Sequence, residues 1–134
     1  MTYLTIKELN TLLKENVIND LSEEDYTLLD QLENYSVSEI DAYIGFKFDT
    51  NAALTGKHPF LTMILIDILS YHFSTRMTHT SMQEIKSVRY ETAKEWLKDV
   101  AKGIIAPNIP IKQEQVEYVS KNYYHTEPKL SNSY

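Results

Sequence analysis

The last third of the chain carries the clearest helical pattern. Apolar residues recur there at alternating spacings of three and one, which places them on one face of an α-helix; they are Ala93, Trp96, Leu97, Val100 and Ala101. Gly103 stands where a left-handed residue commonly follows a helix, and Pro107 lies beyond it. The pattern predicts a helix over roughly residues 82–102 that ends at Gly103.

Two earlier stretches have the same spacing and recognisable helix starts. Thr5, followed three residues later by Glu8, forms a capping-box pattern before a short helix that we expect to fade near Asn16. Its apolar face consists of Leu9, Leu12 and Leu13. Ser22 followed by three acids begins a second helix, since acids stabilise a helix N-terminus. Apolar positions continue at helical spacing, so we expect one long helix that ends at Gly45.

The middle of the chain is its most apolar part. Residues 46–58 are rich in turn formers and predict a loop. Pro59 suits the first turn of a helix, and residues 60–69 are apolar on nearly every side. Because the apolar stretch continues to Phe73, a buried central helix is favoured over a strand. We expect a short break at residues 78–81 before the last helix.

The character of the chain changes after Gly103. Pro107 and Pro110 exclude a continuing helix, and residues 111–134 are polar, with tyrosines but few aliphatic residues. We therefore expect a helical domain over residues 1–107 and an extended or disordered tail over residues 108–134. The predicted fold class is all-α, a small bundle of about four helices with an extended C-terminal arm. A disordered tail and an arm that becomes ordered on a partner both fit its composition.

Composition limits the class of protein. A chain of 134 residues suits one domain, and the absence of cysteine excludes disulfides and thiolate metal sites. No apolar run reaches the roughly 18 residues needed to cross a bilayer, and the first residues do not form a secretion signal. These features fit a reducing cytoplasm and predict no membrane partner.

The net charge of −6 is unevenly distributed. Residues 1–56 hold 11 acids and 3 bases, whereas residues 57–134 hold 8 acids and 10 bases. This asymmetry argues against a general nucleic-acid binder, which has a basic patch or stripe. It is compatible with head-to-tail contact between the acidic and basic faces of neighbouring copies. The acids Glu23, Glu24, Asp25 and Glu33 also fit a simple solvated helix face.

The sequence contains no motif for catalysis, metal binding or cofactor binding. The four histidines show no zinc-ligand spacing; they are His58, His72, His79 and His125. With three glycines in the chain, no phosphate-binding loop or dinucleotide motif can be written. We expect no enzymatic activity and no cofactor.

Two residues of the apolar segments are expected to be structural. Asp67 lies inside the most apolar helix, where an unpaired carboxylate is destabilising. We predict that it pairs with Arg89 or Arg76, or accepts a hydrogen bond from one of two tyrosines, Tyr71 and Tyr90. Trp96 shares the apolar face of the last helix, so we expect it in the core.

Several of these segments together resemble the small head–tail connector proteins of tailed bacteriophages and prophages, in particular the Mu-like branch. The resemblance covers residues 3–107. It begins with an aromatic-Leu-Thr start at residues 3–5 and an acidic helix that ends in residues 39–45, Glu-Ile-Asp-Ala-Tyr-Ile-Gly. An aromatic-basic-aromatic loop follows at residues 46–48, then Asp67-Ile68-x-x-Tyr71, and finally the helix that begins at Arg89-Tyr90 and ends at Gly103. The loop after Phe48 departs from the family pattern because it lacks the proline often found there.

The resemblance implies a structural protein called an adaptor or head completion protein. About twelve copies would form a ring beneath the portal, with one face on the portal protein and the other on a stopper or tail component. Double-stranded DNA would pass through the ring as cargo, and the protein would move from the host cytoplasm to the virion neck. A carboxylate-lined channel repels phosphates, so we expect some of the acidic helix residues to line it: Glu23, Glu24, Asp25, Asp30 and Glu33.

The candidate partner-binding residues lie in the aromatic-basic-aromatic loop and in the tail. The loop supplies Phe46, Lys47 and Phe48, because aromatic residues beside a base are common at interfaces. A loop whose two phenylalanines pack under the helices is the alternative. The tail supplies Tyr118, Tyr123 and Tyr124. A small helical regulatory or adaptor module that binds a protein through this tail is the main alternative function, and an enzyme with a deep polar pocket is a second one.

Overall fold

The structure is a computed structural model that describes residues 1–13, 19–76 and 84–113. Over these ranges it contains five helices and no strand beyond one isolated bridge. The helices are α1 (Ile6–Leu9), α2 (Glu23–Ile44), α3 (Thr50–Thr55), α4 (Pro59–Arg76) and α5 (Glu84–Ala101). The predicted all-α bundle is confirmed. Helix α3 is an addition, because residues 46–58 were expected to form a loop without a helix.

Local side-chain chemistry sets the helix starts where the sequence predicts them. Ser22 and Asp25 form a complete capping box at the start of α2, with hydrogen bonds of 3.2 and 2.9 Å. Thr5 caps α1 by accepting from the Glu8 N–H at 3.2 Å, although α1 ends at Leu9 and is shorter than expected. Asp49 starts the unpredicted α3 in the same way, since its carboxylate accepts from the Ala52 N–H at 2.9 Å.

Helix α4 is the centre of the bundle. Ten of its residues are buried, and Phe73 is the largest fully buried side chain among the described residues. It packs against α2 and runs antiparallel to α5, because Phe60 meets Trp96 near one end and Asp67 meets Arg89 farther along. The expected buried central helix is thus confirmed, and burial of its apolar surface is the main source of stability.

The two main helix ends follow the predicted glycines. A Cβ at Gly45 would lie 2.7 Å from the backbone oxygen of Asp41, so the chain needs glycine where it leaves α2. Gly103 has φ of +79°, the left-handed conformation that a C′ glycine supplies at little cost. The Ile104 N–H donates to Asp99 O at 2.9 Å and the Gly103 N–H donates to Val100 O at 3.0 Å, which is the Schellman arrangement.

Two expectations about burial need correction. Trp96 is half-buried at the edge of the core, where its ring centroid lies 4.7 Å from that of the half-exposed Phe60. The expected domain end at residue 107 also falls short, since Ile109 is 6% exposed and packs with the core. The rest of the predicted tail, from residue 114 onward, lies outside the described residues, as do His79 and the break at residues 78–81.

In the part of the chain that the structure describes, no helix has the length and apolar character needed to cross a membrane.

Candidate assembly interface

The aromatic-basic-aromatic loop directly follows the Gly45 end of α2. Phe48 turns inward and is 5% exposed, whereas Phe46 is 58% exposed. Lys47 is exposed, and its ammonium group lies 5.4 Å from the centre of the Phe48 ring. The alternative of two phenylalanines packed under the helices therefore holds for Phe48 alone, because Phe46 faces solvent. The role of the loop in binding a partner stays a prediction.

A short antiparallel bridge holds this loop against the segment that follows α5. Phe48 lies opposite Ile111, with the Asp49 N–H donating to Pro110 O at 2.7 Å and the Lys112 N–H donating to Lys47 O at 3.0 Å. In this pattern the N–H and C=O of Ile111 point away from Phe48. Residues 109–112 are thus fixed to the domain and bring Ile111 beside the loop.

The Schellman turn at Gly103 completes the same surface. Ile104 follows this turn and is 69% exposed, and Ile111 of the bridge is 51% exposed. A cavity of about 350 Å³ opens between the two segments and is lined mainly by apolar residues of the loop and of residues 100–111. We call the exposed residues of these two segments the Phe46 surface: Phe46, Lys47, Lys102, Ile104, Ile111 and Lys112. Of these, Lys47 and Ile111 line the cavity.

The Phe46 surface is both apolar and positively charged. Its three lysines are exposed, and none of them forms an ion pair with any described residue. The nearest aspartate along the loop, Asp49, uses its carboxylate to cap α3. Apolar side chains rimmed by unpaired charges are the composition of a protein-binding surface, with the apolar part supplying affinity and the charges supplying specificity.

The acids at the start of α2 divide into two groups. Glu23, Glu24 and Asp30 are exposed, and Asp30 contacts the amino group of Met1. Asp25 is partly buried and caps the helix, as described above. Glu33 is 1% exposed, so the expectation that it faces a channel is wrong.

Glu33 instead binds the start of the chain. Its carboxylate accepts from the backbone N–H groups of Thr2, Tyr3 and Leu4 at 2.5, 3.1 and 2.8 Å. This arrangement satisfies three donors that have no helix or sheet to pair with, and it allows Leu4 to enter the core. Helical spacing alone did not distinguish the buried Glu33 from the exposed acids of the same helix.

A polar cluster links the three long helices at the side of the bundle. Glu39 of α2 lies 3.0 Å from His72 Nε2 of α4 and accepts from the Tyr90 hydroxyl of α5 at 2.9 Å. Because an ionised carboxylate only accepts, His72 Nε2 carries a proton in this contact. The Tyr90 ring stacks on that of Tyr71 with a centroid distance of 4.1 Å. Three of these residues, Glu39, Tyr71 and Tyr90, belong to the motifs that carry the family resemblance. The sequence pattern did not predict that they meet.

The pKa values of the two carboxyl groups Glu39 and Asp67 are shifted in opposite directions. Burial acts to raise the pKa of the Glu39 carboxyl, but the hydrogen bonds from His72 and Tyr90 outweigh it, and the pKa lies below its usual value. Burial and the nearby Glu39 carboxylate raise the pKa of Tyr90. Burial raises the pKa of Asp67 despite its hydrogen bond from Arg89 at 2.8 Å. The predicted Asp67–Arg89 pairing is confirmed, and these groups hold helices together.

The described residues include no group of three or more metal-ligating side chains placed to hold a metal ion. His58 accepts from the Leu61 N–H through Nδ1 at 3.2 Å and so caps α4, while His72 belongs to the polar cluster. The tail tyrosines Tyr118, Tyr123 and Tyr124 lie outside the described residues. The arrangement that remains as a candidate site is therefore the Phe46 surface together with the exposed acids of α2.

Comparison with known proteins identifies the family. The family model described as Bacteriophage Mu, Gp36 matches residues 3–123. No curated protein and no solved structure matches the chain. The matched segment contains all five helices, the Phe46 surface and the polar cluster. The chain therefore belongs to the bacteriophage Mu Gp36 family of phage proteins.

Proposed function

We propose that this protein is a head–tail connector of a Mu-like phage or prophage. About twelve copies form a ring beneath the portal, join the capsid to a stopper or tail component, and leave a hole through which double-stranded DNA passes. The observation that carries the proposal is the family match over residues 3–123. The order of the motifs at residues 39–48, 67–71 and 89–103 supports it, because each of them helps to build the bundle or the Phe46 surface.

The two charged ends of the molecule suit a component that binds neighbours on more than one side. The Phe46 surface presents apolar groups and unpaired lysines, and the first turns of α2 present Glu23, Glu24 and Asp30. A ring subunit needs separate surfaces for its neighbours and for the proteins above and below it. A protein that assembles in the host cytoplasm and then stays in the virion neck needs no catalytic site.

The exposed acids of α2 are the candidates for the channel. Carboxylates that face packaged DNA repel its phosphates, so the DNA slides instead of binding. The exposed acids Glu23, Glu24 and Asp30 are the channel candidates, since Asp25 is partly buried in its capping box and Glu33 is buried. A ring structure with these three side chains on its outer rim would remove the channel assignment.

The test is assembly with the portal. The protein is mixed with its candidate portal protein, and the product is examined by light scattering and negative-stain electron microscopy, with each component alone as control. A ring seated on the portal is the expected result. A protein that does not bind the portal, yet binds another protein through residues 108–134, would instead support the regulatory module.

A further inference from the structure

We infer that the Phe46 surface of one copy binds the acidic start of α2 in a second copy of this chain. The contact is head to tail, and it is the contact between neighbours in the ring. The inference rests on the proposed function for the number of copies, but the contact itself is argued from the two surfaces.

The Phe46 surface has the features of one half of a protein contact. Three large apolar side chains of the two bridged segments, Phe46, Ile104 and Ile111, are 58%, 69% and 51% exposed, and Ile111 lines the cavity of about 350 Å³ between these segments. Single exposed apolar residues are ordinary, but three on two segments joined by a bridge, one of them lining a cavity, favour a binding surface. The three exposed lysines of the same segments form no ion pair with any described residue and favour an occupant that brings carboxylates.

The start of α2 supplies the matching half. Glu23 and Glu24 are exposed and unpaired in the described structure, and Tyr26 in the next half-turn is 44% exposed. An aromatic side chain next to two carboxylates matches a mainly apolar cavity that Lys47 lines, on a surface with two further exposed lysines, Lys102 and Lys112. Because residues 1–56 carry most of the acids of the chain, charge complementarity selects a second copy as the occupant.

The two halves lie too far apart to meet within one molecule. Helix α2 has 22 residues and spans about 33 Å, with the acids at its start and Phe46 just beyond its end. A contact between two different surfaces repeats from copy to copy, and it closes into a ring when the rotation between copies permits. This contact and the channel assignment are alternatives for Glu23 and Glu24, since a side chain at the contact faces a neighbour and not the DNA. Asp30, which pairs with the Met1 amino group, is the one exposed acid of this group outside the contact.

The experiment uses two charge-reversed forms of the full chain. One is Lys47→Glu/Lys112→Glu, in which the Phe46 surface becomes acidic, and the other is Glu23→Lys/Glu24→Lys, in which the start of α2 becomes basic. Lys7→Glu, an exposed lysine of α1 outside both surfaces, is the control. Circular dichroism first establishes that each form is as helical as the wild type. Self-association is then measured by sedimentation velocity, alone and with the candidate portal protein.

Each reversed form alone should associate at least about 10-fold more weakly than the wild type, because like charges meet at the contact. An equimolar mixture of the two should recover association, since opposite charges then meet again. Zero-length carbodiimide cross-linking of the wild type should join Lys47, Lys102 or Lys112 of one copy to Glu23 or Glu24 of another.

The outcomes separate the contact from the connector role. Wild-type rings on the portal that persist in both reversed forms would overturn the contact and leave the proposed function intact. Self-association that is lost in the reversed forms and recovers in their mixture would support the contact. If the wild type also fails to bind the portal, that result would count against the connector role. A wild type that associates neither with itself nor on the portal would overturn both.

Discussion

Arg89 Nε donates to Asp67 Oδ1 at 2.8 Å and so joins α5 to the buried side of α4. The Asp67 side chain is 7% exposed and the Arg89 side chain is 38% exposed, so the contact places a carboxylate in the interior and its partner at the boundary with solvent. Such a pair stabilises less by its own attraction than by preventing an unpaired buried charge.

The two single substitutions in this pair should therefore lower the free energy of unfolding by different amounts. Arg89→Ala leaves Asp67 without its donor and should lower the free energy of unfolding by about 2 kcal/mol. Asp67→Asn keeps an oxygen for Arg89 and removes a buried charge, so it should change stability by less than about 1 kcal/mol. Urea denaturation of both variants checks this, and the double variant should resemble Asp67→Asn. Equal losses would show that the charge of Asp67 is needed.

Glu33→Ala should destabilise the fold strongly, although in the sequence Glu33 resembles an ordinary exposed acid. The change removes the acceptor of three backbone N–H groups and should lower the free energy of unfolding by about 3 kcal/mol. Hydrogen exchange at residues 2–4 should become faster. Glu24→Ala is the matched control on the same helix, where an exposed acid should change stability by no more than about 0.5 kcal/mol.

The contributions of Glu39 and Asp67 to the free energy of unfolding should change with pH in opposite directions. The folded-state pKa of Glu39 lies below its ordinary value of 4.5, so its contribution is present above that pH and is lost as pH falls through the folded pKa. The stability difference between wild type and Glu39→Gln should therefore shrink on acidification below pH 4.5.

Asp67 has a folded-state pKa above its ordinary value of 3.8, so protonation favours the fold. The contribution of the protonated form is present below pH 3.8 and is lost as pH rises through the folded pKa. Relative to Asp67→Asn, the wild type should therefore lose stability as pH rises through this range. Denaturant titrations at several pH values measure both differences, and differences that move in the same direction would contradict the assignment of these shifts.

Trp96→Ala should cost less than removal of a core aromatic residue. Trp96 is half-buried against Phe60, so we expect a loss of about 2 kcal/mol, compared with about 4 kcal/mol for Phe73→Ala at a fully buried position. Thermal or urea unfolding of the two variants provides the comparison. If Trp96→Ala instead costs as much as Phe73→Ala, the Trp96 side chain belongs to the core, as the apolar pattern predicts.

The sequence was sufficient for the parts of the fold that depend on local chemistry. Ser22 and Asp25 define the start of α2, and Gly45 and Gly103 define two helix ends, because caps and left-handed residues act within a few positions. Helix α3 was missed because six residues rich in Thr, Asn and Ala give no apolar period, and its start depends on the single cap of Asp49.

The candidate surface was only partly predictable for a different reason. The loop at residues 46–48 was recognised, but which phenylalanine faces solvent depends on the bridge to Ile111, more than sixty residues away. The inward turn of Glu33 likewise depends on residues 2–4, and the meeting of Glu39, His72 and Tyr90 depends on the packing of three helices. Contacts between distant segments have no local pattern.

The carbonyl ends of α2 and α5 both terminate at the Phe46 surface. Each helix macrodipole places roughly half a negative charge there. The lysines of the surface are therefore partly neutralised before any partner arrives, and their effective positive charge is smaller than three. Association through this surface should depend less steeply on ionic strength than a count of lysines implies, and the apolar side chains should provide most of its affinity.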